Sequence, residues 1–486
     1  MTLQPLLEPG WLNALLPEMV LIGGGILLML LEVFAPRMRG AFASLALLVL
    51  LAAGFAELSV IGGLYFGGTY ELSPITRIFD FTFLLAALLA TMFSRDYLQR
   101  EQIEGGEFYT LMLWGTVGMM MMAKGLDLLV VILGLEILSI CIFVLVGYNR
   151  RATISNEAAL KYFLMGAFAT GFILYGTALF FGATGSTNVT NLGQFLATNP
   201  STPMLTIAFV LLIGGIGFKL ALAPFHAWAP DVYQGAPTPV AAWLSVAPKA
   251  ATLIALVRIL SAALPMSVAA NWNQILAVLA IASMVIGNFV AIAQRDLKRM
   301  LAYSGIAHVG YMTIALVTLR DESVAAIAVY AITYVLMNIG AFGVVSLLQK
   351  SQNEPQTLDD VAGLGFRRPY YGLALAVCMF SLSGLPPTAG FISKFYVFRV
   401  AIESGDTWLA IIAIFTSIVS VYYYLRVVYY LYMKEPAAAD ITPTSVSPFA
   451  AGALAISMIG ILMIGVFPTP LFETALRAAA TLIHGQ

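Results

Sequence analysis

The chain has 486 residues, of which 60% are apolar and only 10% are charged, whereas an average soluble domain carries about 25% charged residues. With a mean hydropathy of +0.91, this composition excludes a cytosolic enzyme. The net charge of −1 excludes a cationic surface for nucleic acid, and two cysteines that form no CxxC pair exclude a disulfide framework, a zinc site and an iron–sulfur cluster.

The apolar residues fall into fourteen segments bounded by charge, proline or glycine. A helix that crosses a bilayer needs about 20 apolar residues, and the segments lie near residues 17–35, 41–63, 74–94, 107–123, 126–147, 156–182, 204–229, 237–261, 274–294, 299–319, 323–349, 369–401, 407–432 and 448–468. No connection is long enough for a soluble domain, and residues 182–203 are expected to be a simple connector. The sequence predicts one membrane domain over residues 1–486, an all-α polytopic protein with about fourteen transmembrane helices.

The basic residues predict the orientation of these spans. Seven of the 24 lie inside spans, and four lie in loops after even-numbered spans or in the C-terminal tail, namely Arg77, Lys124, Arg320 and Arg477. The other thirteen lie in loops after odd-numbered spans. Because Lys and Arg of short loops collect on the cytoplasmic side, both termini are expected on the outer side of the membrane.

Charged residues inside the spans are the main functional candidates. They are Glu136, Lys161, Lys219, Lys249, Arg258, Lys394, Arg399 and Arg426. An ionised group at mid-membrane costs at least ~2.5–3.5 kcal/mol, so each needs a partner or a water-filled interior. The three arginines favour structural ion pairs, because a guanidinium hardly loses its proton.

The lysines and the glutamate differ from the arginines in their proton chemistry. A lysine amine removed from water can release and take up a proton, which favours a transfer role for Lys219, Lys249 and Lys394. Glu136 would either pair with a lysine or become protonated. Lys161 lies one turn into its span, so its long stem could also simply reach the headgroups.

Prolines and glycines interrupt two spans close to these lysines. Pro224 follows Lys219 in span seven, and Pro387 precedes Lys394 in span twelve. Broken helices beside charges, five spans apart, are typical of inverted-repeat transporters. We therefore expect spans 4–8 (residues 107–261) and spans 9–13 (residues 274–432) to form two inverted five-helix repeats, with helices 7 and 12 broken.

Two histidines lie near these features. His226 is beside the first break and His308 is in span ten. Histidine exchanges protons near neutral pH, so both suit a proton relay, although a membrane histidine can equally be a hydrogen-bonded packing residue.

Three stretches carry a resemblance to a known family: FHAWAPDVYQGAPTPVAAWLSVAPKA (225–250), DLKRMLAYSGIAHVGYM (296–312) and SLSGLPPTAGFISKF (381–395). They closely resemble the antiporter-like membrane subunits of the proton-pumping NADH:quinone oxidoreductase, respiratory complex I, a family shared with multisubunit sodium/proton antiporters. The resemblance implies a proton-translocating membrane-arm subunit, part of a translocase enzyme, in a bacterial inner membrane.

The resemblance also implies roles for individual residues. Glu136 would pair with Lys219, and Lys161 would modulate that pair. Lys249 would be the central lysine, with His226 between it and Lys219, and Lys394 would lead to the exit. One position departs from the family pattern, because Gly305 stands where many relatives have a second hydroxyl residue after Ser304.

The same resemblance implies the partners. This chain would hold no cofactor, and NADH, FMN, iron–sulfur clusters and quinone would belong to other subunits. Expected partners are membrane lipid and other membrane-arm subunits, including subunit M and the small subunits J and K. Subunit M itself has a glutamate where Lys394 stands, and subunit L continues into a long lateral helix that is absent here after His484.

Two other functions stay open on sequence grounds. A stand-alone or multisubunit cation/proton antiporter would use the same buried charges. A purely structural membrane subunit would use them only to hold helices together, which requires many costly buried pairs without a function.

Overall fold

The computed structural model describes residues 10–199, 202–263, 266–349, 351–354, 356–435 and 447–483; His484 lies outside them. Within these ranges a two-stranded antiparallel sheet, β1 (Gly63–Tyr65) and β2 (Tyr70–Leu72), accompanies short 3-10 turns at Pro36–Ala41 and Leu358–Val361. The α-helices are α1 Trp11–Ala14, α2 Leu16–Phe34, α3 Phe42–Ser59, α4 Pro74–Glu101, α5 Gly106–Lys124, α6 Leu128–Val146, α7 Thr153–Thr184, α8 Val189–Thr198, α9 Pro203–Leu220, α10 Trp228–Gly235, α11 Thr238–Leu244, α12 Ala247–Ala263, α13 Met266–Ala293, α14 Leu297–Val317, α15 Asp321–Leu348, α16 Leu364–Arg367, α17 Pro369–Ser383, α18 Ala389–Glu403, α19 Thr407–Met433, α20 Pro448–Val466 and α21 Thr469–Ile483.

The protein is a multi-pass helical membrane protein. In the described part of the chain, twelve helices are long and apolar enough to cross a bilayer. The helices at the predicted fourth and twelfth spans, α5 and α17–α18, are not among these twelve. The expected all-helical architecture is confirmed as mostly helical, with one short hairpin of β1 and β2 added. One expectation was wrong, because the predicted connector at residues 182–203 contains helix α8.

Local sequence signals explain where many helices begin. Proline occupies the first turn of α4, α9, α17 and α20, where its missing N–H leaves no intrahelical bond unmade. The side chain of Asp127 caps α6 by accepting from the Leu129 N–H, and Asp296 caps α14 by accepting from the Arg299 N–H.

The predicted breaks coincide with helix ends. Helix α9 ends at Leu220, and the left-handed residue Ala221 (φ 57°) turns the chain before Pro224. Helix α17 ends at Ser383, where Gly384 takes a φ of 84° that a glycine adopts without steric cost, and α18 begins only at Ala389. Each break frees backbone groups, which lipid could not satisfy.

The interior of the bundle is formed by a few central helices. The most apolar window of α11–α12 is 100% buried, and those of α14 and α15 are 94% buried. Helix α14 packs against α10, α13, α15 and α18. Peripheral helices instead expose large apolar side chains such as Phe55 and Phe168, as expected for surfaces that face lipid.

The second break depends on close packing at Gly390. A Cβ at this position would lie 1.8 Å from the Ser381 carbonyl oxygen, and the Gly390 N–H donates to Ser381 Oγ at 3.0 Å. We predict that Gly390→Ala lowers stability by about 1–3 kcal/mol through this overlap, measured as thermal unfolding of the purified protein. Gly171→Ala is the matched control, because a Cβ there meets nothing within 4 Å. Equal melting temperatures for the two variants would contradict the packing argument.

Candidate functional site

Lys249 lies at the centre of the bundle. Its side chain projects from α12, the residue is 1% exposed, and Nζ donates to the Gly305 carbonyl oxygen of α14 at 3.2 Å. The amine also lies 5.6 Å from the centre of the Tyr233 ring, a favourable position for a cation. A Cβ at position 305 would lie only 3.2 Å from Nζ. Because Gly305 has no side chain, the Lys249 amine has room beside the backbone at this position.

His308 lies on α14 in a cage of tyrosines. Its Nδ1 is 2.7 Å from Tyr330 Oη and its Nε2 is 3.1 Å from Tyr424 Oη. The ring stacks on Tyr334 at a centroid distance of 4.9 Å, and Tyr424 also hydrogen-bonds Ser304 Oγ. Both ring nitrogens thus meet hydroxyl groups, which can donate as well as accept a proton.

Lys394 lies at the second helix break. Its Nζ donates to the carbonyl oxygens of Leu382 and Ser383, at 3.1 and 3.0 Å, and to Ser417 Oγ at 3.0 Å. The two carbonyls belong to the last turn of α17, which the break leaves without helical partners. Lys394 also borders a cavity of about 610 Å³ between α17, α18 and α19.

Polar aromatic side chains occupy the interior between Lys249 and Lys394. Tyr311 faces both its neighbours, because its ring centre lies 5.9 Å from that of His308 and 5.3 Å from Lys394 Nζ. Its hydroxyl accepts from Asn288 Nδ2 at 3.0 Å, and Asn288 Oδ1 accepts from Tyr423 at 2.9 Å. The structure thus brings Lys249, His308 and Lys394 into one buried region that is lined by hydroxyl groups.

Glu136 and Lys219 lie on neighbouring helices, but their closest contacts are with other groups. Lys219 Nζ donates to Ser139 Oγ at 2.8 Å, and Glu136 Oε1 accepts from Thr170 at 2.8 Å. Ser139 is one turn after Glu136 on α6. Among the described ion pairs, none joins the two residues directly, so the expected pair is separated by this turn.

Lys161 takes part in a network at the edge of the bundle. Its Nζ lies 2.7 Å from Glu157 and 3.0 Å from Asp231, and Asp231 also binds Arg299 at 2.7 Å. Burial alone would raise the pKa of Asp231, but hydrogen bonds from Arg299 and Lys161 outweigh it and lower the pKa from its usual value of 3.8. The ionised Asp231 therefore links α7, α10 and α14.

His226 and the three membrane arginines have no described hydrogen bond to Lys249, His308 or Lys394. His226 is half-buried in the turn between α9 and α10, and the described hydrogen bonds do not join it to Lys219 or Lys249. Arg258 pairs with Glu71 and Arg399 with Glu403, as the sequence favoured. Arg426 instead donates to the carbonyl oxygens of residues 292 and 294 at the end of α13.

Sequence reasoning missed the tyrosines and one charge cluster. Nothing in a run such as YYYL (422–425) tells which hydroxyl faces the interior, and only Tyr423 and Tyr424 are buried. Lys124 was assigned to a loop, yet it is the last residue of α5 and fully buried. It lies 2.7 Å from both Glu18 and Asp80. A lysine at the edge of an apolar segment does not reveal that the helix continues through it, or that carboxylates from distant parts of the chain surround it.

Comparison with known proteins places this arrangement in a class. The sequence model of the family described as NADH:quinone oxidoreductase/Mrp antiporter, TM, matches residues 125–420. A chain of respiratory complex I from Thermus thermophilus with bound aureothin is 36% identical, has a TM-score of 0.80 and is covered over 98% of its length by 94% of this chain. A chain of the Mrp complex from Dietzia sp. DQ12-45-1b has a TM-score of 0.85 over 97% of this chain and 98% of that one, but at 20% identity it shares only the fold.

Curated relatives narrow the class to one branch. NADH-quinone oxidoreductase subunit N from Trichlorobacter lovleyi is 46% identical over 428 residues, which cover 87% of this chain and 88% of the relative. The subunit of the same name from Chloroflexus aggregans is 42% identical over 450 residues, or 90% of this chain and 91% of the relative. The chain therefore belongs to the subunit N family of NADH-quinone oxidoreductases.

The surroundings of Lys249 predict that it contributes little to stability. It makes one hydrogen bond to a carbonyl and, among the described residues, no ion pair. We expect Lys249→Met to leave the thermal stability of the assembled protein unchanged or higher, because burying a charge is costly. Lys124→Met is the contrasting variant and is expected to lose about 3–5 kcal/mol, since it leaves the buried carboxylate of Glu18 without its cation. A strongly destabilised Lys249→Met protein would contradict the prediction that Lys249 contributes little to stability.

Proposed function

We propose that this chain is the proton-translocating subunit N of a membrane NADH:quinone oxidoreductase. The observation that carries the proposal is the buried sequence of amine, hydroxyl and imidazole groups from Lys249 through His308 to Lys394. Groups of these types can each take up and release a proton or pass one on. Relatives named subunit N at 38–46% identity support the same function.

The proposed route begins at Lys219 and passes His226 to Lys249. From Lys249 the proton passes Ser304, Tyr424 and His308, and it leaves near Lys394, whose amine borders the cavity at the second break. Lys249 Nζ donates to the Gly305 carbonyl oxygen, which belongs to the residue after Ser304. Water would have to connect Lys219 with Lys249.

The remaining charged residues would control when the proton moves. A charged Glu136 one helix turn from Ser139 favours the protonated form of Lys219, and weakening that influence would send the proton onward. Lys161, on α7, would modulate the pair formed by Glu136 and Lys219. In the structure the Lys161 amine binds Asp231 instead.

Architecture and partners follow from the same proposal. We propose about fourteen membrane crossings, with α5 and the broken α17–α18 added to the twelve apolar helices, and inverted repeats over residues 107–261 and 274–432. Both termini would lie on the periplasmic side of a bacterial inner membrane. Subunits M, J and K would be neighbours, and the redox cofactors would reside in other subunits.

Isolation of the native assembly tests this function against antiport. The tagged chain is extracted in mild detergent, and the proposal predicts that it migrates in a large assembly that oxidises NADH with quinone. Migration alone, together with sodium-dependent proton exchange in vesicles that contain only this protein, would replace the proposal with an antiporter.

Removal of the first lysine or its glutamate should impair pumping. We expect Lys219→Ala and Glu136→Ala to lower proton translocation roughly tenfold, which corresponds to a barrier about 1.4 kcal/mol higher. Quinone reduction should fall with it if the two steps are tightly coupled. Asp359→Asn is the control, because Asp359 is exposed, pairs with Lys434 and does not line the cavity beside Lys394. Normal pumping and normal quinone reduction in fully assembled Lys219→Ala enzyme would refute the route.

The hydroxyl of Tyr424 offers a second test. Tyr424→Phe keeps the ring but removes the contacts to His308 and Ser304, so proton translocation should slow by about tenfold or more while assembly is retained. The neighbouring Tyr422 is 61% exposed, and Tyr422→Phe should pump normally. If both variants behave alike, Tyr424 does not carry protons.

A further inference from the structure

A second cluster of buried charges lies outside the proposed route, where α2, α3, α4 and α5 meet. Lys124 is at its centre, with Nζ 2.7 Å from Glu18 Oε1 and 2.7 Å from Asp80 Oδ2. Glu57 Oε2 lies 3.5 Å from the same nitrogen. The lysine and all three acids are at most 3% exposed.

The charges of this cluster do not balance when every group is ionised. Among the described residues, the cluster holds one cation besides Lys124, namely Arg77, whose Nε lies 3.7 Å from Glu57. Arg258 packs nearby, donating to the Ala123 carbonyl, but its charge is matched by Glu71. Three carboxylates facing two cations leave one uncompensated negative charge among buried groups, which is costly. One proton on one carboxylate removes that charge.

The contacts identify Asp80 as the group that takes the proton. Glu18 has two partners, because Tyr70 donates to it at 2.8 Å in addition to Lys124. Glu57 lies between two cations, Lys124 and Arg77. Asp80 faces Lys124 alone. All three acids have a buried oxygen without a hydrogen-bond partner among the described residues, so the number of cationic and hydroxyl partners is what distinguishes Asp80. A carboxylate with the fewest partners loses least when it is neutralised.

We propose that this cluster is a second buried protonation site, in which Asp80 holds one proton while Glu18 and Glu57 stay ionised. The step is proton uptake by the Asp80 carboxylate: one O–H bond of a hydronium ion breaks and leaves water, and one O–H bond forms on Asp80. Arg77, with a side chain that is 37% exposed, marks the side from which water reaches the cluster. The site does not depend on the proposed function of Lys249 or Lys394.

Infrared difference spectroscopy of the intact assembly at neutral pH tests the site. Subtracting the spectrum of Asp80→Asn from that of the natural protein should reveal a lost C=O stretching band of a protonated carboxylic acid. Asp359→Asn is the matched control and should lose only ionised carboxylate bands, because Asp359 is exposed and pairs with Lys434. Loss of only carboxylate bands in Asp80→Asn would overturn the proposal.

Glu57→Gln gives a second, independent reading, which keeps the proposal testable if Asp80→Asn does not assemble. Neutralising Glu57 leaves two acids facing two cations, so Asp80 should ionise. The acid band should disappear in this variant while the total carboxylate intensity stays constant. An unchanged acid band in this variant would contradict the charge count, and an acid band that does not shift when only the aspartate carboxyls carry ¹³C would show that Asp80 does not hold the proton.

Discussion

The cost of placing an ionised group in a medium without water governs this structure. A lysine near mid-membrane needs either an anion or polar contacts from protein, and the chain meets this need differently at each site. Lys124 receives carboxylates, Lys394 receives the free carbonyls of a broken helix, and Lys249 receives one carbonyl and an aromatic face. These contacts come from α2 and α4 for Lys124, from α17 for Lys394, and from α14 and α10 for Lys249.

Under the proposed function, the differences between these environments distinguish charges that hold helices together from charges that carry protons. A cation among carboxylates is held in place, and its removal leaves partners unpaired. Lys249 has no such partner among the described residues, so it is poorly stabilised as a charge and well placed to change its protonation. A buried charge without an ion-pair partner lowers the stability of the folded protein, and such local losses of stability are typical of functional sites.

Sequence reasoning predicted most of the spans and both helix breaks, and it selected Lys249 and Lys394, which the structure buries, because each of these features leaves a local signal. Hydropathy marks a span, proline marks a break, and a charge in an apolar run is conspicuous. It could not predict Tyr330, Tyr424 or the cluster around Lys124. Tyrosine is common on membrane helices on any face, and the cluster joins residues more than a hundred positions apart. The indirect relation of Glu136 to Lys219 likewise depends on side-chain geometry rather than on residue type.

In the proposed function, protons cross the membrane through Lys249. The most direct measurement is the number of protons translocated per quinone reduced, in proteoliposomes that contain the assembled enzyme with Lys249→Met. We expect the Lys249→Met enzyme to assemble and to translocate fewer protons. If translocation and quinone reduction are tightly coupled, quinone reduction should slow as well. An assembled variant with the natural ratio and the natural rate would contradict it.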